Sequence, residues 1–157
     1  KYHDRQALPA IALTADSAVV TAWGNDVGYD KVFSRQVEAF GRPGDVLIGL
    51  STSGNSSNVV EAFHAAHRQG LTCISLTGSC GGALLELSDI ALVVPCAQTA
   101  RTQEVHILAL HLICEIVDER IMAQRDLAVP VTWDLPQAAD PSRVAGQCRL
   151  YHSTGRS

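Results

Sequence analysis

The sequence predicts an α/β fold, a doubly wound parallel sheet flanked by helices. Short apolar segments of strand length alternate with segments of helical periodicity, which is the pattern of consecutive β-α-β units. The loops between these segments are short, and 157 residues are enough for one domain with a substantial core. We therefore predict one α/β domain over residues 1–125, followed by an irregular tail or linker over residues 126–157.

Four apolar runs are predicted to be buried strands. Each has the length and the aliphatic content of a strand that is covered on both faces. These runs are residues 8–13, 45–50, 71–77 and 89–95. The Gly-Arg-Pro-Gly segment at 41–44 predicts a turn before the second run.

The helical patterns lie between and after these strands. They cover residues 31–40, 58–69, 83–87 and 101–124, and Gly70 is placed to end the second of them. The last pattern is apolar around most of its circumference, more than one face of a sheet requires. We therefore expect helix 101–124 to bury a second side against another copy of the chain, in a homo-oligomer.

The tail differs in composition from the rest of the chain. Residues 126–157 contain three prolines and no sustained hydrophobic period. The segment is therefore expected to be weakly ordered.

Composition and charge narrow the function classes. Hydrophobic residues make up 46% of the chain and charged residues 18%, and the net charge is −4. This balance argues against nucleic acid or an anionic membrane as the main partner. No apolar run reaches the roughly 18–20 residues that a membrane-spanning helix needs, and no basic-then-apolar leader is visible. The five cysteines have irregular spacing, which favours reduced thiols in a cytoplasmic protein over disulfides.

The most informative segment is Leu-Ser-Thr-Ser-Gly-Asn-Ser-Ser at 50–57, between a predicted strand and a predicted helix. Free backbone N–H groups and the positive end of the helix dipole meet at such a turn, and hydroxyl groups add neutral donors. A phosphate dianion suits this environment. The candidate phosphate-binding side chains are Ser51, Thr52, Ser53 and Ser56. The alternative is an ordinary helix start capped by Ser56 alone.

Two further polar clusters are candidates for the same rim of the sheet. Asn25 and Asp26 come soon after the first predicted strand, where they form a simple turn, or where Asp26 accepts hydrogen bonds from sugar hydroxyls. On the last helix, His106 and His111 lie about 140° apart around the axis, so one can face a site while the other faces the core or a partner. His64 and His67 have a spacing that could hold a metal, but no third ligand is evident, which favours a solvated helix face.

These motifs together resemble the sugar isomerase (SIS) domain family. The matching residues are Gly-Asn-Asp at 24–26, Ser-Thr-Ser-Gly-Asn-Ser at 51–56, Leu-Thr-Gly-Ser-Cys-Gly-Gly at 76–82 and Arg-Thr-Gln-Glu-Val-His at 101–106. The resemblance runs from about residue 8 to residue 121. It implies a flavodoxin-like, SIS-type sheet and an isomerase that interconverts sedoheptulose 7-phosphate and D-glycero-D-manno-heptose 7-phosphate, in the synthesis of heptose and lipopolysaccharide precursors.

The resemblance also implies roles for individual residues. The serine-rich segment would hold the substrate phosphate, and Asn25 and Asp26 would contact the substrate near its reacting end. Gln103 would contact the substrate and bind zinc, and His111 would bind zinc and take part in proton transfer. The family is typically a homotetramer with its sites between subunits.

One part of the family pattern has no counterpart in this sequence. In the family, a leading helix, a strand ending in Gly-Asn-Gly-Gly-Ser and a helix with a His-x-x-x-Glu pair precede the matched region. We expect the chain to lack the family's first strand, the remaining zinc ligands and the glutamate base, and to be inactive alone. The alternative function is a non-catalytic SIS module that binds a sugar phosphate or a replication-initiator protein.

Overall fold

A computed structural model describes residues 6–127 of the chain. These residues form five α-helices and three strands, and from α2 onward helices and strands alternate. They are α1 Ser17–Asp26, α2 Val32–Phe40, β1 Val46–Ser51, α3 Ser57–Gln69, β2 Thr72–Gly78, α4 Gly82–Glu86, β3 Ile90–Val94 and α5 Thr99–Leu127, with a short 3-10 helix at Tyr29–Lys31. None of the described helices combines the length and the apolar character that crossing a bilayer requires.

The three strands form one parallel sheet in the order β1-β2-β3. The pairing of β1 with β2 runs from Val46 opposite Thr72 to Ser51 opposite Thr77. All strands therefore end at the same edge, here called the carboxyl edge, and begin at the opposite amino edge. This arrangement confirms the predicted α/β class with a parallel, helix-flanked sheet.

The core lies between the sheet and α3. Phe63 is fully buried, and Ala62, Ala65 and Ala66 on the same helix are also buried. The ring of Phe63 packs directly on β1 at Gly49, where an added Cβ would lie 2.4 Å from Phe63 Cε2. A glycine at this position lets the helix approach the strand closely.

Individual side chains and glycines determine where α3 ends and how α2 is held. Gly70 ends α3 in the left-handed conformation, with φ of +73°, as predicted. On α2, the buried Gln36 amide donates hydrogen bonds to the Leu13 carbonyl oxygen at 2.8 Å and the Val32 carbonyl oxygen at 3.0 Å. These bonds tie the segment before α1 to α2.

The prediction of a strand over residues 8–13 is wrong. These residues are not in a strand, and Leu8 and Ile11 are 38% and 63% exposed. A strand needs a neighbour for its backbone hydrogen bonds, and β1 pairs only with β2 among the described residues. Asn25 and Asp26, interpreted as following that strand in a turn, instead occupy the last turn of α1.

The chain divides into two units after Ile121. In the second unit the structure describes residues 122–127 alone, and these are helical. The rest of the predicted tail, residues 128–157, lies outside the described part of the chain.

Candidate functional site

Residues 51–56, here called the serine loop, lie at the carboxyl edge of the sheet. Ser51 is the last residue of β1, and Ser57 is the first residue of α3. A tight turn closes the loop, because the Gly54 N–H donates to the Ser51 carbonyl oxygen at 3.0 Å. The structure thus brings all four candidate phosphate-binding hydroxyls into one strand-to-helix turn, where α/β proteins bind ligands.

The hydroxyls of the loop pair with one another instead of capping the helix. Ser51 Oγ lies 2.8 Å from Ser56 Oγ and 3.4 Å from Ser53 Oγ. Ser56 is the N-cap residue, yet its side chain makes no capping hydrogen bond. By helix geometry, the N–H groups of Ser57 and Asn58 have no carbonyl within the helix to donate to. The structure therefore shows no side-chain cap by Ser56, which leaves these two N–H groups without a partner inside the helix.

A second loop, residues 78–82 and here called the glycine loop, packs against the serine loop. A Cβ at Gly54 would lie 1.8 Å from the Gly81 carbonyl oxygen, and a Cβ at Gly82 would lie 2.6 Å from the Ser53 carbonyl oxygen. Backbone therefore touches backbone here. Only glycine at these positions allows such an approach, since φ is +67° at Gly54 and +57° at Gly82.

Asn55 joins the serine loop to the glycine loop and α4. Its side-chain amide donates to the Ser53 carbonyl oxygen at 3.1 Å, and its side-chain oxygen accepts from the Ala83 N–H at 2.9 Å. The Leu84 N–H also donates to the Gly54 carbonyl oxygen at 3.0 Å. These bonds hold the turn through backbone atoms and the Asn55 side chain, while the Ser53 hydroxyl also accepts from the Asn55 N–H at 3.2 Å.

The first turns of α5 are anchored at the carboxyl edge by two buried side chains. His106 Nε2 lies 3.1 Å from the Thr77 carbonyl oxygen, and Thr102 Oγ1 donates to the Cys96 carbonyl oxygen at 3.1 Å. His106 is 3% exposed, whereas His111 is exposed. The prediction that the two histidines face different ways is confirmed, and His106 is the one in the core.

Gln103 and His111 are both exposed on α5. Residues Ile107, Leu110, His111 and Cys114 line a shallow cavity of about 180 Å³. Eight residues along a regular helix separate Gln103 from His111 by about 12 Å. A zinc site needs at least three protein ligands, and these two side chains supply only part of one.

Asn25 and Asp26 are exposed, and Asn25 Nδ2 donates to Asp26 Oδ1 at 2.8 Å. In the described part of the chain, no hydrogen bond or ion pair joins Asn25, Asp26, Gln103 or His111 to the serine loop. The structure thus assembles the phosphate-binding candidates in one place and leaves the other four site candidates apart from them.

The sequence analysis missed a cluster at the amino edge of the sheet. His67, Cys73 and Asp89 each offer a metal-ligating atom, and these atoms lie within 4.8 Å of one another. The spacing of His64 and His67 favours a solvated helix face for His67, and the structure adds Cys73 and Asp89 beside it. Because the three residues belong to different elements, no local spacing motif could have revealed them.

Three groups in the described part of the chain have shifted pKa values. Burial raises the pKa of Cys73 to about 11, and the neighbouring Asp89 acts in the same direction. A hydrogen bond of 2.6 Å from Lys31 Nζ to Glu61 Oε2 lowers the pKa of Glu61 and raises that of Lys31. This ion pair ties the 3-10 helix to α3.

Comparison with known proteins shows that this chain is similar to one family of domains. The profile of the SIS domain matches residues 2–78. The phosphoheptose isomerase of Sulfurimonas denitrificans is 51% identical over 118 residues, which are 75% of this chain and 60% of that protein. That of Aliarcobacter butzleri is 55% identical over 118 residues, 75% of this chain and 62% of that protein.

Solved structures agree with these sequence relatives. The phosphoheptose isomerase GmhA from Neisseria gonorrhoeae has a TM-score of 0.67 and 52% identity, over 68% of this chain and 61% of that chain. A phosphoheptose isomerase from Francisella tularensis has a TM-score of 0.72 and 44% identity, over 74% and 62% of the two chains. The chain spans about three fifths of the length of these relatives. The chain is thus similar to the SIS domain over residues 2–78, in agreement with the resemblance of its motifs, and the relatives reported above are phosphoheptose isomerases.

Proposed function

We propose that the serine loop binds the phosphate of a sugar phosphate, and that the protein takes part in interconverting sedoheptulose 7-phosphate and D-glycero-D-manno-heptose 7-phosphate. The observation that carries this proposal is the pairing of Ser51 and Ser56 through their hydroxyls, which leaves the start of α3 uncapped. The phosphoheptose isomerases among its relatives support the choice of reaction.

Phosphate binding at the serine loop would orient the rest of the sugar. The donors are backbone N–H groups and neutral hydroxyls, so the site favours a dianion without a fixed positive charge. Binding energy gained on the phosphate, which does not react, restricts the motion of the reacting carbons. The loop is well suited to this role because Asn55 and the glycine loop hold its backbone in place.

The isomerisation moves a proton between C1 and C2 of the sugar, while the carbonyl moves the other way. We assign the proton transfer to His111, because neutral imidazole accepts and donates protons near pH 7 and the side chain is exposed. Asn25, Asp26 and Gln103 would hydrogen-bond the substrate. The amides of Asn25 and Gln103 can donate to the enediolate, in which negative charge develops on oxygen, whereas the Asp26 carboxylate would accept from sugar hydroxyls.

Zinc is part of the proposal. Gln103 and His111 would supply two of its ligands, and the others would come from outside the described residues. A bound zinc ion supplies Lewis-acid polarisation of the sugar carbonyl and hydroxyl oxygens.

The proposal includes a homotetramer built through α5. This helix exposes an unusually large apolar surface for a single chain. The exposed apolar residues are Val105, Ile107, Leu108, Leu112, Ile116 and Val117. Because Gln103 and His111 lie on the same helix, packing between copies of α5 would bring these side chains to a neighbouring subunit. A site shared between subunits explains why one chain leaves the candidates apart.

Two further parts of the proposal concern location and domain organisation. The described cysteines are free thiols, which suits the reducing cytoplasm.

We assign residues 1–125 to the sugar-phosphate-binding domain and residues 126–157 to a tail or linker. Compact packing up to Ile121 supports this boundary.

Binding and turnover are tested separately. Calorimetric titration of the chain with sedoheptulose 7-phosphate should show binding that Ser53→Ala weakens by about tenfold, since a hydrogen bond to a charged group contributes about 1.5–3 kcal/mol. Ser17→Ala is the control, because this serine is also exposed but is the first residue of α1, outside the serine loop. Equal affinity in the Ser53 variant would remove that residue from the site.

The reaction itself is assayed on protein expressed from its complete reading frame and loaded with zinc. We expect aldose formation from sedoheptulose 7-phosphate by that protein, and binding without turnover by the 157-residue chain alone. Absence of turnover by the intact, zinc-loaded oligomer would refute the enzymatic proposal. A non-catalytic SIS module would additionally purify without stoichiometric zinc.

A further inference from the structure

Three metal-ligating side chains meet at the amino edge of the sheet, in a group here called the amino-edge cluster. His67 lies in the last turn of α3, Cys73 is the second residue of β2, and Asp89 directly precedes β3. Among the residues that the structure describes, this is the single group of three such side chains whose ligand atoms converge, all within 4.8 Å.

The cluster is separate from the serine loop. Cys73 pairs with Leu47, four residues before Ser51 on β1. Four residues of strand correspond to about 13 Å, and the two groups lie at opposite edges of the sheet. A ligand at one edge does not contact the other.

Backbone hydrogen bonds already orient two of the three side chains. His67 Nε2 lies 2.8 Å from the Leu87 carbonyl oxygen. Because a carbonyl only accepts, Nε2 carries the proton, and Nδ1 of the neutral ring keeps a lone pair. Asp89 Oδ2 accepts from the Cys73 N–H at 2.7 Å. In many metal sites a ligating histidine donates its other ring N–H to a carbonyl, and a ligating carboxylate accepts from an N–H. Such hydrogen bonds orient the metal ligands.

We propose that His67, Cys73 and Asp89 bind a divalent transition metal of the zinc class, with the fourth position open to water. Imidazole nitrogen, thiolate sulfur and carboxylate oxygen are the three ligand types that zinc takes. The sulfur ligand disfavours magnesium and calcium. In a tetrahedral zinc site neighbouring ligand atoms are about 3.5 Å apart, so side-chain rotation has to close the cluster by about 1 Å.

The exposure of the side chains fits this role. His67 and Asp89 are exposed, while Cys73 is fully buried and forms the floor of the cluster. Burial and the neighbouring Asp89 raise the pKa of the Cys73 thiol to about 11, so a metal has to displace the thiol proton against this preference. Metal binding therefore replaces the thiol proton, which passes to solvent as the sulfur–metal bond forms. The bound ion would join the end of α3 to the starts of β2 and β3.

The test is a titration of the 157-residue chain with Co²⁺, a spectroscopic substitute for Zn²⁺, followed by the thiolate-to-cobalt charge-transfer band. All proteins in the series carry His111→Ala, which removes the separate candidate ligand on α5. We expect one cobalt ion per chain, one proton released from the thiol, and a band that Zn²⁺ abolishes by competition. His67→Gln and Asp89→Asn, both at exposed positions, should lower the cobalt affinity by at least about tenfold.

His64→Gln is the control, since this histidine is exposed one turn earlier on the same helix. Its affinity for cobalt should equal that of the parent protein. Absence of the charge-transfer band, or a band that persists in Cys73→Ala, would overturn the proposal. Unchanged affinity in both His67→Gln and Asp89→Asn would overturn it as well, and these two variants do not depend on the folding of the Cys73 variant.

Discussion

Gly54→Ala tests whether the contact between the serine loop and the glycine loop determines the structure of the site. The new Cβ would lie 1.8 Å from the Gly81 carbonyl oxygen, whereas ordinary carbon–oxygen contacts are near 3.3 Å. The loops must then separate by about 1.5 Å. This movement breaks the hydrogen bond from the Leu84 N–H to the Gly54 carbonyl oxygen.

Two costs add in this variant. An alanine in the left-handed region costs about 1–2 kcal/mol, and overpacking a tight contact costs about 1–3 kcal/mol. We expect the free energy of unfolding, measured by urea titration with circular dichroism, to fall by about 2–5 kcal/mol. Binding of inorganic phosphate should be lost with it, because the donors of the loop no longer converge.

Gly44→Ala is the matched control for this prediction. Gly44 also has a positive φ, +91°, but an added Cβ there would meet nothing within 4 Å. This variant therefore carries the conformational cost alone, about 1–2 kcal/mol, and keeps phosphate binding. If Gly54→Ala were no less stable than Gly44→Ala and bound phosphate equally well, the reasoning about the two loops would be refuted.

Three other changes test the loop, an ion pair and the core. Asn55→Ala should weaken phosphate binding in a calorimetric titration, by about tenfold, because it releases the serine loop from α4, and unchanged affinity would contradict this role. The ion pair with Lys31 lowers the pKa of Glu61 in the folded state below the value of about 4.3 for an unperturbed glutamate. The stabilisation from this pair is therefore present above about pH 4.3 and is lost as the pH falls through the folded-state pKa. The urea midpoint of Glu61→Gln should accordingly fall less on acidification than that of the parent, and parallel curves would argue against it. Phe63→Ala should lower the free energy of unfolding by about 3–5 kcal/mol, since the ring is fully buried, and a change under about 1 kcal/mol would show that the ring is not central to the core.

Much of the fold could be predicted because strand and helix periods are local signals. The runs at 45–50, 71–77 and 89–95 all proved to be strands, within one or two residues of their predicted bounds. The run at 8–13 has similar composition but is not a strand. A strand is defined by its neighbour, and no local pattern reports whether a neighbour is present.

The parts of the candidate site that are contiguous in the sequence could be predicted, and the parts that depend on contacts between separate elements could not. The serine loop is contiguous in the sequence, so its hydroxyls were found together. The contact of Gly54 with Gly81 and the meeting of His67, Cys73 and Asp89 depend on how separate elements pack, and a single sequence does not encode these distances in any spacing. The roles assigned to Gln103 and His111 depend on neighbouring subunits and remain predictions.

The central claim is that backbone N–H groups at the serine loop hold a phosphate. An amide-resolved nuclear magnetic resonance titration of the chain with inorganic phosphate tests it most directly. We predict saturable shifts concentrated in the amides of residues 53–58, with the largest at Ser57 and Asn58. Shifts that are absent there, or that cluster in another part of the chain while these amides stay fixed, would contradict the account.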